Sequence, residues 1–198
     1  MHASLTVIRN EHHALSAMLR SIRLLLEEHH RHGTLPDFSV LRAMLFYVDE
    51  FPERLHHTKE TELLFPLLRS HGTEINEVLD RLDHDHAHGE YAIRNLEHDL
   101  LGFEMMGETE QGPLRREKFE KSMNKYIDFY LDHMRVEETV VLPLAEQVLT
   151  PTEWLELDAA FLANRDPLAG GETDGIYQPV FQKILMNMPA PIGLGPSL

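Results

Sequence analysis

Two short stretches of this chain carry metal-binding residue types at matching spacing. His56 precedes Glu60 by four residues, and His133 precedes Glu137 by four. Four residues make about one turn of an α-helix, so imidazole and carboxylate point the same way, ~6 Å apart along the axis. That geometry suits joint binding of a metal cluster. A lone His-x-x-x-Glu reads better as part of an exposed polar helix face. Here the pair recurs: Leu63 and Leu64 match Val140 and Val141, and Pro66 matches Pro143, all at one constant offset. An internal repeat that carries its candidate chemistry with it outweighs the reading as exposed helix.

Helices must position these pairs, and the apolar periodicity predicts four long ones. The first runs from about Ser4, a candidate N-cap, to His32 before Gly33, with the stripe Ile8, His12, Leu15, Leu19, Ile22 and Leu26. A turn with Pro36 and a capping Asp37 leads to a second helix ending near Ser70. Its stripe is Leu41, Leu45, Val48, Pro52, His56, Glu60, Leu63 and Leu67, and Pro52 should kink or interrupt it. The third helix, about Glu74 to Leu101, carries Leu79, Leu82, His86, Gly89, Ile93, Leu96 and Leu100 and copies the first. A loop is expected from Gly102 to Pro113. The fourth helix, about Leu114 to Val148, carries Phe119, Met123, Tyr126, Tyr130, His133, Glu137, Val140 and Leu144. Tyr126 and Tyr130 share the side of His133. They read as core or rim aromatics, with contact to the metal site as the alternative. His13, His57, His84 and His88 fall off the stripes and read as flanking or solvated.

The expected fold is all-α: an up-and-down four-helix bundle over residues 1–150 and a C-terminal extension over 151–198. Within the extension, short helices are predicted at about Glu153–Ala163 and Ile176–Met188. A turn-rich connector separates them, and an irregular tail follows from Pro189.

Composition narrows the functions. The chain has 198 residues and no cysteine, which excludes disulfides, iron–sulfur clusters, thiolate zinc sites and cysteine nucleophiles. A net charge of −15 argues against nucleic acid and anionic membranes as partners. No apolar run approaches the ~20 residues of a membrane span. The start of the sequence lacks a basic region followed by an apolar block, so a cytoplasmic location is the expectation.

The repeat places His12, His56, Glu60, His86, His133 and Glu137 in one core layer. The gap from His12 to His56 nearly equals that from His86 to His133, as two antiparallel helices returning to one height require. Two carboxylates buried among imidazoles would cost several kcal/mol uncompensated. Metal coordination compensates them. Four imidazoles and two carboxylates suit two first-row ions, iron or manganese ahead of copper, with zinc open.

The chain resembles the hemerythrin-like, His-His-Glu cation-binding family. The resemblance rests on Glu11-His12, His56-x-x-x-Glu60 with Leu64-Phe65-Pro66, Asp85-His86, and His133-x-x-x-Glu137 with Leu142-Pro143, and covers about residues 4–148. It implies a non-haem di-iron centre with an oxo or hydroxo bridge. Oxygen-carrying members have a His-x-x-x-His on the third helix and a His-x-x-x-x-Asp on the fourth. This chain's pattern is closer to the iron–sulfur repair proteins of the superfamily, which carry a further cysteine-containing domain. Six-coordinate ions would keep about two positions open in such a centre. The function this implies is binding of, or reaction with, O₂, peroxide or NO in stress response or sensing, with an oxidoreductase activity and a redox partner as further candidates. The alternatives are iron storage, donation or iron-centre repair, and a structural zinc-binding bundle.

Overall fold

The computed structural model describes residues 2–171, 175–189 and 193–195. Among these the architecture is all-helical, with four long rods packed as a bundle. The first rod is α1 (Ala3–His32). The second, over residues 38–71, is α2 (Phe38–Val48), π1 (Asp49–His56), α3 (His57–Lys59), π2 (Glu60–Leu64) and α4 (Phe65–His71). The third is α5 (Asn76–Met106). The fourth, over residues 112–148, is α6 (Gly112–Val136), π3 (Glu137–Val141) and α7 (Leu142–Val148). No described helix is long and apolar enough to cross a membrane.

Local chemistry sets the ends of the rods. Gly33, at φ 62, terminates α1, and its N–H donates to the His30 carbonyl while Thr34 N–H donates to that of His29. Asp37 caps α2 by accepting from the Ser39 and Val40 amides. Ser4 is not the N-cap of α1. It lies inside the helix, where its amide and hydroxyl donate to Asp158 Oδ1 at 2.8 and 2.7 Å. The third rod also outlasts its expected end near Leu101. Phe103 is buried between Phe38 and Phe119, which holds the helix to Met106 and shrinks the loop to residues 107–111.

The core is split. One apolar cluster gathers Leu15, Leu19, Val48, Phe51, Ile93, Tyr126 and Tyr130. The other gathers Ile8, Leu64, Phe65, Leu82, Val141, Leu142 and Phe161. Each rod passes from one to the other through a buried polar layer, at His12, His56–Glu60, His86 and His133–Glu137.

Residues beyond the fourth rod pack on the bundle. Helix α8 (Pro151–Leu162) starts at a capping box of Thr150 and Glu153 and buries Trp154, Leu157 and Phe161. Helix α9 (Gln178–Asn187) sets Phe181 edge-on against Tyr47 and Phe51. In the expected irregular tail Pro189 pairs with Gly195, while residues 190–192 and 196–198 lie outside the described residues.

Candidate metal centre

Wide turns place the polar layer. Proline lacks an N–H and its ring crowds the carbonyl four residues back, so a helix approaching a proline can widen to an i→i−5 bond. Phe65 N–H, just before Pro66, donates to the Glu60 carbonyl; Leu142 N–H, just before Pro143, donates to that of Glu137. A third wide bond runs from His57 N–H to the Pro52 carbonyl. The second rod thus runs on through Pro52 as a wide-turned segment and is not interrupted there. A wide turn holds one residue more than an α-turn and shifts the helical phase accordingly.

The six residues read from the sequence converge. Nε2 of His12 lies 3.2 Å from that of His56, and Nε2 of His86 lies 3.1 Å from that of His133. The two carboxylates stand between these pairs. Glu60 turns Oε1 to His56 (3.2 Å) and Oε2 to His86 (3.5 Å). Glu137 turns Oε2 to His12 (3.2 Å) and Oε1 to His133 (3.1 Å). Each carboxylate thus offers one oxygen to each histidine pair.

His57 corrects the sequence reading. It is not a solvated flanking residue: it is 3% exposed and joins Glu60, His86 and His133 in a set of donor atoms within 4.8 Å of one another. His12, His56, Glu60 and Glu137 form a second such set. An ideal α-helical stripe admits one of two adjacent residues, whereas this wide-turned stretch of the second rod buries both His56 and His57. His13, His84 and His88 are exposed, as expected.

An outer ring of acceptors orients the imidazoles. Nδ1 of His56 meets Glu11 Oε2 at 2.7 Å, and Nδ1 of His133 meets Asp85 Oδ2 at 3.4 Å. Nδ1 of His12 meets Glu138 Oε1 at 3.0 Å, and Nδ1 of His86 meets Thr61 Oγ1 at 2.8 Å. Nδ1 of His57 meets Glu53 Oε2 at 3.1 Å. An ionised carboxylate only accepts, so an imidazole facing one donates from Nδ1 and turns Nε2 inward. The outer ring repeats with the inner one, since Glu11 and Asp85 each precede an inner histidine and Thr61 and Glu138 each follow an inner glutamate. His57 breaks the repeat, because Met134 stands at its counterpart position. Sequence reasoning assigned these outer groups no role. Their signal was the repeat itself, and for Glu53 its place one turn before His57.

Tyr126 and Tyr130 do not reach the inner layer with their hydroxyls. Both donate to Glu53 Oε1 at 2.6 Å. Burial pushes the Glu53 carboxyl above its ordinary range, and burial together with Glu53 pushes both phenols well above theirs.

Electrostatics test the fit of a cation. All four oxygens of Glu60 and Glu137 are buried and accept no hydrogen bond. Oxygen and inward Nε2 lone pairs face one another, so positive charge must sit among them. In the metal-free chain protons supply it. Burial opposes charging of His56, yet Glu60 and Glu11 outweigh it and hold its pKa well above the usual range. The same contest, won by Glu137 and Asp85, raises His133 to about 10. His12 is raised against burial by Glu137 and Glu138. His57 goes the other way, held well below the usual range by burial and its imidazole neighbours. The donor set fits metal ions, which would take the place of these protons.

A bundle with an internal repeat of buried imidazoles and carboxylates defines a cation-binding helical domain. The sequence profile of the hemerythrin HHE cation-binding domain matches residues 3–145, and the chain belongs to that family. Searches of curated proteins and of solved structures gave no significant match.

Proposed function

We propose that this chain holds two first-row metal ions, iron foremost, and uses them to bind or react with O₂, peroxide or NO in stress response or sensing. His12 and His56 would hold one ion, His86 and His133 the other, with Glu60 and Glu137 serving both. We add His57 as a further donor to the second ion. The observation that carries this reading is the pair of buried carboxylates, each with both oxygens free of hydrogen-bond donors and aimed at different histidine pairs. A bound iron pair supplies redox-active electrons and exchangeable coordination positions for small molecules. The chain's own groups set the conditions. The outer acceptors fix each imidazole, and the two apolar clusters bound the layer on either side along the bundle.

A second reading, storage or donation of the metal, is favoured by a cavity of about 360 Å³ lined by Glu53, His57, Thr61, His86 and Glu90. It brings His86, one member of the second histidine pair, close to solvent, while His133 stays fully buried. Anaerobic spectroscopy with metal analysis separates the readings. The first predicts a visible charge-transfer band that bleaches on reduction. Rapid loss of iron to a weak chelator supports the second. A colourless protein isolated from its native cell with zinc contradicts both.

A further inference from the structure

We propose that Asn164, in the segment after α8, is a positioning residue for the His12–His56 half of the centre. The inference rests on the two-ion reading and adds a part of the chain outside the family-matched residues.

Glu11 Oε2 accepts from two donors, His56 Nδ1 at 2.7 Å and Asn164 Nδ2 at 3.1 Å. The other end of the carboxamide is also engaged, since Asn164 Oδ1 accepts from Lys59 Nζ. The backbone of Asn164 is fixed by its N–H to the Phe161 carbonyl, and the buried Phe161 ring lies edge-on to His56 at 6.1 Å. Two residues on, buried Asp166 accepts from the Tyr47 hydroxyl at 2.7 Å, which anchors the segment to the second rod. Glu11 alone could swing about its side-chain bonds. With a second donor on the same oxygen it is held where His56 must present Nε2 inward.

Among the described residues, no side-chain amide holds the other half in this way. Asp85 is the repeat counterpart of Glu11, and its basic neighbour is Arg81 at 3.6 Å, one turn away on its own helix and 51% exposed. That half also borders the 360 Å³ cavity through His57 and His86. On the Asn164 side the space touching His12 and His56 is about 10 Å³, barely enough for one water. Glu11 and Asn164 border a cavity of about 400 Å³, but His12 and His56 do not line it. The extension therefore fastens one half of the centre and keeps its histidines from the cavity, while on the other half His57 and His86 line theirs.

The test loads the full chain anaerobically with iron(II) and follows iron release to a colorimetric chelator. The wild type should release one ion faster than the other. Asn164→Ala should speed release of the slower ion up to ~10-fold, at the lower end of the ~10- to 100-fold effect of removing a ligand's own partner such as Glu11, and leave the faster ion unchanged. Lys59→Ala should move the same ion by less, and serves if Asn164→Ala does not fold. In a Glu11→Ala background Asn164→Ala should add little, because it acts through Glu11. Carbethoxylation mapped by mass spectrometry should then find His12 and His56 newly reactive, with His86 and His133 still protected. Unchanged release, equal acceleration of both ions, or an effect additive with Glu11→Ala would overturn the inference alone. A wild type that retains no metal pair would remove the reading of the centre and this inference with it.

Discussion

Gly89 is where Tyr130 passes α5: a Cβ at position 89 would fall 1.7 Å from the Tyr130 hydroxyl and 2.9 Å from Glu53 Oε1. The absent side chain lets the Tyr130–Glu53 hydrogen bond form beneath His57. Gly89→Ala should displace that bond and cost about 1–3 kcal/mol, the usual range for overfilling a packed core. In a chain of this size that lowers the melting temperature by about 2–4 °C per kcal/mol. An unchanged melting temperature would mean that Tyr130 moves aside freely.

The assignment of His57 predicts a graded mutant series. His57→Ala should weaken metal retention in the second half-site by about 10-fold or more, while His13→Ala, His84→Ala and His88→Ala leave it unchanged. Metal per chain after dialysis against a mild chelator measures this. Loss of metal in His84→Ala or His88→Ala with retention in His86→Ala would mean that α5 is turned in its seat.

The site was legible wherever the α-helical phase holds. His12 and His86 sit in plain stripes on α1 and α5, and the repeat tied His56 to His133 and Glu60 to Glu137. His57 was illegible because an α-helical stripe admits one of two adjacent residues, whereas the wide-turned second rod buries both His56 and His57. Asn164 was illegible for another reason. It meets Glu11 from 153 residues away, and no local pattern encodes that contact. The extended third helix has a signal in Phe103, which continues the Leu96–Leu100 stripe, set against the three glycines and several acids between Gly102 and Pro113 that point to a loop.

Proton linkage at the centre has a definite sign. His133 is held at about 10 in the metal-free fold and so keeps its proton at neutral pH, and His56 and His12 are pushed the same way by their glutamate neighbours. A raised histidine pKa adds stability that is full below its unfolded value of ~6.5 and lost as pH climbs through the folded value. Metal-free protein should therefore lose stability from pH 7 to pH 10. Loading should release protons, and metal affinity should rise with pH over the same window. Calorimetric titration in two buffers of different ionisation enthalpy counts the protons. No release would contradict the charge pattern.

Asp166 offers a control away from the inner ligands. Burial pushes its carboxyl up to about 6, from an unfolded value near 3.8. An acid raised on folding favours the fold at low pH, and that support is lost as pH rises from ~4 through ~6. Asp166→Asn, which stays neutral, should gain on the wild type by about 2–3 kcal/mol between pH 4 and pH 7. Denaturant unfolding at the two pH values reads the difference, and a constant gap would show that Asp166 is ionised throughout.

Elemental analysis of fully loaded protein tests the central claim most directly, alongside Glu60→Ala and Glu137→Ala. Because each carboxylate faces both histidine pairs, the wild type should hold about two ions per chain, mainly iron, and either variant should fall to about one or fewer. A saturated wild type with one ion or none, or carboxylate variants that keep the full complement, would contradict it.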